Sequence, residues 1–563
     1  MNKKFLLLSI VFVLILTTFA AGCGQKSANE GDGQGKQAAN GEGKSAEKGK
    51  NDKPAKEQVI HMNERAEPPD LDSATSTDAA SHMILSNVME GLVILDKDMK
   101  PIPGMAEELP EISDDGKTYT FKLRDAKWSD GSPVTANDFE YAWKRALNPE
   151  TKSQYAFIFS EIKNAEAYNK GKAKAEDVGV KAVDEKTLEV TLEHPVPYFT
   201  SKMAFSTFYP QKQEFVEKMG KKYAKEDDAL LYNGPFKLAN WKHESGWEYV
   251  KNENYWDVDS VKLDKVTWDV VKDTSTGIDL YETGKFDVTL LSQDFVTQYK
   301  DREDFTTRPE FVTAYLEFNL LDPFLKNDKI RAAIAGAFDK ETHAKVIMND
   351  GSTAAYGFVP PGMAGPEGTD GEPYREYVGE IKTAQNVEEA KKLFKEGLKE
   401  LGLSKPPKLE YLTDDNDTAR RTAEFLQEEF KKNLGLEIEI NQQTFAARLD
   451  LAREKKFQLY LSLWGADYND PLSFMDLFVT DGPYNDASWS NKTFDEAIKF
   501  SQTSGDQKAR VDKMAEAEKL LIKEAPIAPL YYRHRAYLWR PEIKELIRPP
   551  YGPGFYFKWA YVE

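Results

Sequence analysis

Apolar and polar positions fall into three readable stretches. From Thr118 to Leu123 the order TYTFKL alternates with the period of a half-buried strand. Asp130-Gly131 marks a turn, and Thr135 to Asp138 places a hydroxyl at an N-cap with a carboxylate three residues on. Phe139, Ala142, Trp143, Ala146 and Leu147 recur at helical spacing before Pro149, which predicts a helix with one buried face. The second stretch predicts a strand at 408–412 (KLEYL) and a helix from Thr418 carrying Ala423, Phe425, Leu426, Phe430 and Leu434. A left-handed Gly435 and a strand at 436–440 (LEIEI) follow. Strand, helix and strand in that order imply a parallel pair with a right-handed crossover. In the third stretch a helix over about 445–455 leads to a strand at 458–464 (QLYLSLW). The polar and aromatic loop from Gly465 to Pro471 follows at its carboxyl end, where open α/β sheets bind ligands. Helices at 328–338 and 387–401 are expected to flank the same sheet. The 180–230 region is mixed in character, and no repeat of 20–50 residues is present.

The N-terminus reads as an address. Lys3 and Lys4 precede an apolar run from Phe5 to Ala21, and Ala20-Ala21-Gly22 leads directly into Cys23. A charged start, apolar middle and small-residue end describe a secretory signal over residues 1–22. The small-residue ending before Cys23 resembles a bacterial lipobox, with Ala20 where leucine is usual. That resemblance implies a diacylglyceryl group, with palmitate-type acyl chains, on Cys23. An uncleaved transmembrane anchor is the alternative. Residues 24–57 hold no large apolar side chain and are expected to be a tether.

Composition narrows the function. The chain has 563 residues, 75 of them basic and 94 acidic, for a net charge of −19, which argues against a nucleic-acid partner. A 40% hydrophobic content describes a globular body, and the length allows two to four domains. A single cysteine excludes a disulfide framework, and six scattered histidines give no metal-ligand spacing, so no metal or cofactor is expected. The P-loop, Gly-x-Ser-x-Gly and His-Glu-x-x-His motifs are all missing, so no enzyme is expected. A cell-surface enzyme with paired carboxylates in the cleft, such as a glycosidase, is the alternative from another class.

Four segments carry a family resemblance: Asp114 to Pro149, Val178 to Phe199, Asn233 to Asp257, and Trp464 to Pro471 with Ile527 to Tyr532. From about residue 58 to its end the chain resembles the OppA-like oligopeptide- and dipeptide-binding proteins of ABC importers. The resemblance implies an α/β, two-lobed, hinged periplasmic-binding-protein-like fold of the three-domain peptide-binding type. Domain I would comprise 58–89, 229–317 and 533–563, domain II 90–228, and domain III 318–532. It also implies a monomer, an oligopeptide ligand, permease subunits of an ABC transporter as partners, and a lipid-anchored place on the extracytoplasmic face of the cell membrane. A dedicated receptor for a signalling or cell-wall peptide is an alternative within the fold.

The same resemblance assigns site residues. Asp467 matches the aspartate that pairs with the ligand ammonium, and a carboxylate at a sheet's carboxyl edge suits that charge-assisted bond. Trp464, Gly465 and Ala466 match the segment whose backbone meets an extended ligand, a form of β-augmentation. Ser76, Thr77 and Asp78 fall on the opposing segment, Tyr155 near the ligand backbone, and Asn485 and Asp486 in a pocket-lining stretch. The ligand carboxylate is where the sequence departs from the pattern. An arginine used by some members stands at Leu461 here, and the histidine used for longer peptides falls near Thr418. Arg420, Arg421 and Arg453 are the candidates left for that role.

Overall fold

The computed structural model describes residues 57–369, 371–384, 386–552 and 554–563. Cys23 and the tether up to residue 56 lie outside them. Among the described residues no helix is long and apolar enough to cross a membrane.

Local chemistry sets the elements. Thr118–Lys122 is a strand with Tyr119 and Phe121 buried. Helix Ala136–Leu147 opens on its capping box, with Asp138 Oδ2 accepting from the Thr135 amide at 2.9 Å. All five of its periodic apolar residues are buried. Helix Asp417–Leu434 joins the parallel strands Leu409–Asp414 and Ile438–Gln443. The helix starts at Asp417, one residue before the expected Thr418, because Asn416 caps it with a side chain that accepts from the Ala419 amide at 3.0 Å. Gly435 closes it at φ 63°, and the Leu436 amide donates back to the Phe430 carbonyl at 3.2 Å. That bond ties Leu436 to the helix end, so the next strand starts at Ile438. Helices Asp328–Ala335, Val387–Glu400 and Phe445–Arg453 and strand Leu459–Gly465 fall where expected, within a few residues.

One eleven-stranded mixed sheet runs through the body. Its order is Ile438–Gln443, Leu409–Asp414, Leu459–Gly465, Phe305–Phe318, Ile527–Trp539, Val288–Leu291, Val59–Glu64, Lys265–Val270, Gly246–Lys251 and Phe236–Lys242, with Thr353–Ala354 added beside Ile527–Trp539. A separate four-stranded antiparallel sheet lies wholly within residues 90–228.

The two central strands decide the architecture. Phe305–Phe318 and Ile527–Trp539 are antiparallel and long, at 14 and 13 residues. At one end Val312–Phe318 pairs with Leu459–Gly465; at the other, Ala536–Trp539 pairs with Val288–Leu291. Between these ends the register breaks from Pro309 opposite His534 to Thr313 opposite Tyr532. Pro309 has no amide to give a ladder, and the unequal count bends both strands. Separate apolar cores sit on either side: one joins Leu316, Phe338, Leu426 and Leu459, the other Tyr281, Phe286 and Leu538. Two lobes joined by a kinked strand pair are the mixed α/β architecture that the sequence implied.

Candidate ligand-binding cleft

The site begins where a strand loses its neighbour. Leu409–Asp414 pairs with Leu459–Gly465 only at Tyr411–Leu459 and Leu412–Tyr460. Beyond Tyr460, residues 461–465 keep their partners in Phe305–Phe318 on one side and have no strand partner on the other among the described residues. A slot therefore opens between 461–465 and 413–418. Its walls offer the backbone groups to which an extended chain adds as a strand.

Asp467 stands at one end of this edge. Its amide donates to Ser473 Oγ at 2.8 Å, and its Oδ1 accepts from the Tyr155 hydroxyl at 3.2 Å. Tyr155 comes from the 90–228 segment, so the fold brings two expected site residues into contact across more than 300 positions. The Trp464 ring stacks on Tyr155 at 6.5 Å, meets Tyr484 edge-on at 4.9 Å, and is fixed by Nε1 donating to the Ser473 carbonyl at 2.7 Å. Gly465 is exposed on the edge. Ala466 is already engaged: its amide donates to Phe311 and its carbonyl accepts from Gly552.

The electrostatics at this end are one-sided. Burial, and then the charge of Asp476, push the Asp467 carboxyl well above the usual carboxylate range. Burial pushes Asp476 up to about 8, and its Oδ1 is enclosed without a hydrogen-bond partner. Lys202, the cation that most favours ionised Asp476, is itself held by both oxygens of Glu161 at 2.8 Å. Arg510 is likewise taken up by Asp470 at 3.0 Å. The cleft thus presents two carboxylates with no cation bound directly to either, an arrangement that an ammonium group would complete.

The other expected residues have identifiable duties. Ser76 Oγ donates to the Asp72 carbonyl at 2.7 Å, and Thr77 is half-buried beside it. Asp78 caps helix Ala79–Val88 through the Ser81 amide at 2.9 Å, and burial pushes its carboxyl up to about 6. Asn485 braces its own loop through the Val479 and Trp489 carbonyls. Asp486 and the fully buried Glu317 both accept from the single Tyr460 hydroxyl, at 3.1 and 3.0 Å. Burial, followed by the charge of Asp486, holds Glu317 well above the usual carboxylate range. Arg420 pairs with Asp417 at 2.7 Å, Arg421 grips Asp294 through two bonds, and Arg453 bonds Gln154 at 3.0 Å and Asp450 at 3.2 Å.

Several of these contacts cross between lobes. Arg421–Asp294, Lys272–Asp415 at 3.5 Å, and Arg65 to Thr418 at 3.4 Å tie the 409–421 region to the strands of the other half. Sequence reading missed Asp476, Tyr484 and the Lys202–Glu161 pair, whose residue types carry no motif. It also passed over Arg533 and Arg535. Their signal was visible: charged residues continuing an apolar strand without a break.

An uncovered strand edge in an interlobe cleft, ending in buried carboxylates, defines a solute-binding protein. The comparisons agree. Residues 100–486 match the model of the bacterial extracellular solute-binding proteins, family 5, middle region, and the chain belongs to that family. It is 37% identical over 506 residues to the dipeptide-binding protein DppE of Bacillus subtilis, covering 90% of this chain and 92% of that protein. The structure of Listeria monocytogenes OppA bound to peptide is 42% identical and superposes with a TM-score of 0.86 over 90% of this chain and 99% of that one. The Escherichia coli murein tripeptide binding protein MppA matches at 28% identity with a TM-score of 0.83, over 90% and 99% of the two chains. An unliganded open form of MppA, at the same identity and over 90% and 98%, reaches only 0.61. This lobe arrangement is therefore far from that open form, in keeping with the contacts across the cleft.

Proposed function

We propose that this protein captures oligopeptides between its lobes and hands them to the permease of an ABC importer. The carrying observation is the open edge at 461–465 that ends at Asp467. An extended peptide pairs its backbone with the edge and its ammonium with the carboxylate. Affinity then comes mainly from main-chain bonds and one charged anchor, which tolerates many side-chain sequences. Trp464 and Tyr155 wall the anchor, and the 76–78 segment faces the ligand from the other lobe. The names of DppE and OppA, which record dipeptide and oligopeptide binding, support this reading. The family and these relatives are binding proteins, and the chain acts without catalysis. Domain I is assigned to 58–89, 229–317 and 533–563, domain II to 90–228 and domain III to 318–532, with the kinked strand pair as hinge. The ligand contributes the differential stability that favours the closed state.

The deciding experiment is mass spectrometry of what residues 58–563 release when purified natively and acid-denatured. A mixture of short peptides is expected. A single defined peptide would make the protein a dedicated receptor, and a non-peptide species would overturn the reading.

The protein is also proposed to be a monomer held at the outer face of the cell membrane by lipid on Cys23. Cys23→Ala is expected to leave peptide binding unchanged and move the protein from the membrane pellet to the soluble fraction. A variant that still pellets would show that something other than the lipid holds it.

A further inference from the structure

A cavity lies past the Gly465 end of the open edge. Asp467 and Gly552 line it, and the Gly552 amide donates to the Ala466 carbonyl at 3.1 Å. His82, Leu95, Phe205 and Ser206 are among its other walls, and none of residues 461–465 lines it. The void measures about 270 Å³ and opens to solvent. Whole small-molecule sites run from roughly 300 to 1,000 Å³, so this one suits a single side chain.

His82 brings an unused polar atom to this place. It lies one turn into helix Ala79–Val88, with its amide donating to the carbonyl of the capping Asp78 at 3.1 Å, so it follows directly on the 76–78 segment. Phe205 packs on its ring at 4.6 Å, and Tyr155, the hydrogen-bond donor to Asp467, meets it edge-on at 5.5 Å. Nδ1 pairs with Ser206 Oγ at 2.7 Å, whereas Nε2 is buried and has no partner among the described residues. His82 is 7% exposed, and burial pushes its pKa down to about 3. The ring is therefore neutral near pH 7 and serves as a hydrogen-bonding group, not as a charge. A serine hydroxyl can donate or accept at Nδ1, so Nε2 can take either role.

We propose that this cavity receives the first side chain of the bound peptide, and that His82 selects there for an aliphatic hydroxyl, as in threonine or serine. The proposal rests on the Asp467 reading. A side chain begins two bonds from its own amino nitrogen, so an ammonium held by Asp467 places the first side chain at the cavity that Asp467 lines. A hydroxyl there gives Nε2 its missing partner. A methyl group of the same shape leaves it unpaired, and sites with such a polar group discriminate against the analogue that lacks the hydroxyl.

The test uses isotope-distinguished pentapeptide libraries, random at the last four positions and starting with threonine or with valine, whose side chains have the same shape. A third library starts with N-acetylated threonine. The protein captures from an equimolar mixture, and bound peptides are counted by mass spectrometry. Threonine-first peptides are expected to exceed valine-first ones about three- to tenfold, the worth of one neutral hydrogen bond. In His82→Asn, whose shorter amide can keep the Ser206 bond but offers nothing at the Nε2 position, the ratio falls toward one. In His82→Gln, which carries a polar group to that position, part of the preference returns. Both variants should still capture free amines over acetylated peptides, which reports an intact cleft. Equal capture of threonine-first and valine-first peptides by the unmodified protein would overturn the proposal, as would a preference unchanged in His82→Asn. A preference lost equally in both variants would trace it to the shape of the ring and overturn the hydrogen-bonding role. Equal capture of N-acetylated peptides would instead overturn the Asp467 reading, so the two failures are separable.

Discussion

Asp467→Ala is expected to weaken peptide binding at least tenfold, since a hydrogen bond to a charged group contributes about 1.5–3 kcal/mol. The loss should exceed that of a rim charge because the carboxyl is half-buried and, among the described residues, Tyr155 is its only side-chain hydrogen-bond partner. Calorimetry on a peptide identified from the native release measures it directly, and unchanged affinity would remove the ammonium anchor. The pH dependence has a definite sign. In the empty site burial and Asp476 raise the Asp467 carboxyl, so its contribution to the stability of the empty protein is present below the unfolded value and is lost as pH rises through the folded one. A bound ammonium favours the carboxylate and lowers that value. Affinity is therefore full above the empty-site value and falls as pH drops below it. Above about pH 8 the peptide's own amine loses its proton, which limits binding from the other side. The thermal shift given by saturating peptide should rise from pH 5 toward neutrality, and in Asp467→Asn this slope should flatten.

Glu310→Gln is expected to destabilise the fold by about 3–5 kcal/mol, the usual loss when one partner of a buried charge pair is removed. Arg533 and Arg548 would then face each other and Arg535 across a bent strand pair with no carboxylate between them. Burial alone would raise Glu310, yet Arg533, Arg548 and Arg535 hold it down at about 2. Its contribution is therefore present above the unfolded value near 4.3 and is lost only as pH falls toward 2. Urea denaturation at pH 7 and again at pH 3 tests both parts: the gap between the two proteins should be large at pH 7 and smaller at pH 3. A difference under about 1 kcal/mol at pH 7 would show that the arginines find other partners or solvent when Glu310 is lost.

These two residues show how unevenly the site could be read from sequence. Asp467 was legible because it sits in a conspicuous loop after an apolar strand, in a segment that resembles a family motif. Glu310 was not, because nothing near it in sequence announces three arginines more than 200 positions away. Arg421 drew attention as a basic residue near Thr418, and the fold gave it to Asp294, which only the approach of the two lobes could reveal. Arg65 attracted none, because its bond to Thr418 forms only where distant parts of the chain meet.

By itself the sequence determined what short-range physics controls. Alternation at 118–122, the Thr135–Asp138 capping box, and the strand, helix and left-handed glycine ending at Gly435 follow from side-chain period and local backbone bonds. So does the α/β class, since apolar faces of period two and 3.6 must be buried against each other. The tertiary structure alone decided which strand edge stays open, because that depends on where Leu409–Asp414 stops pairing at Tyr460. It also decided the charge at the Asp467 end of the cleft. Burial and Coulomb forces act through space, and they join Tyr155 to Asp467 and Arg421 to Asp294 without regard to the length of chain between them.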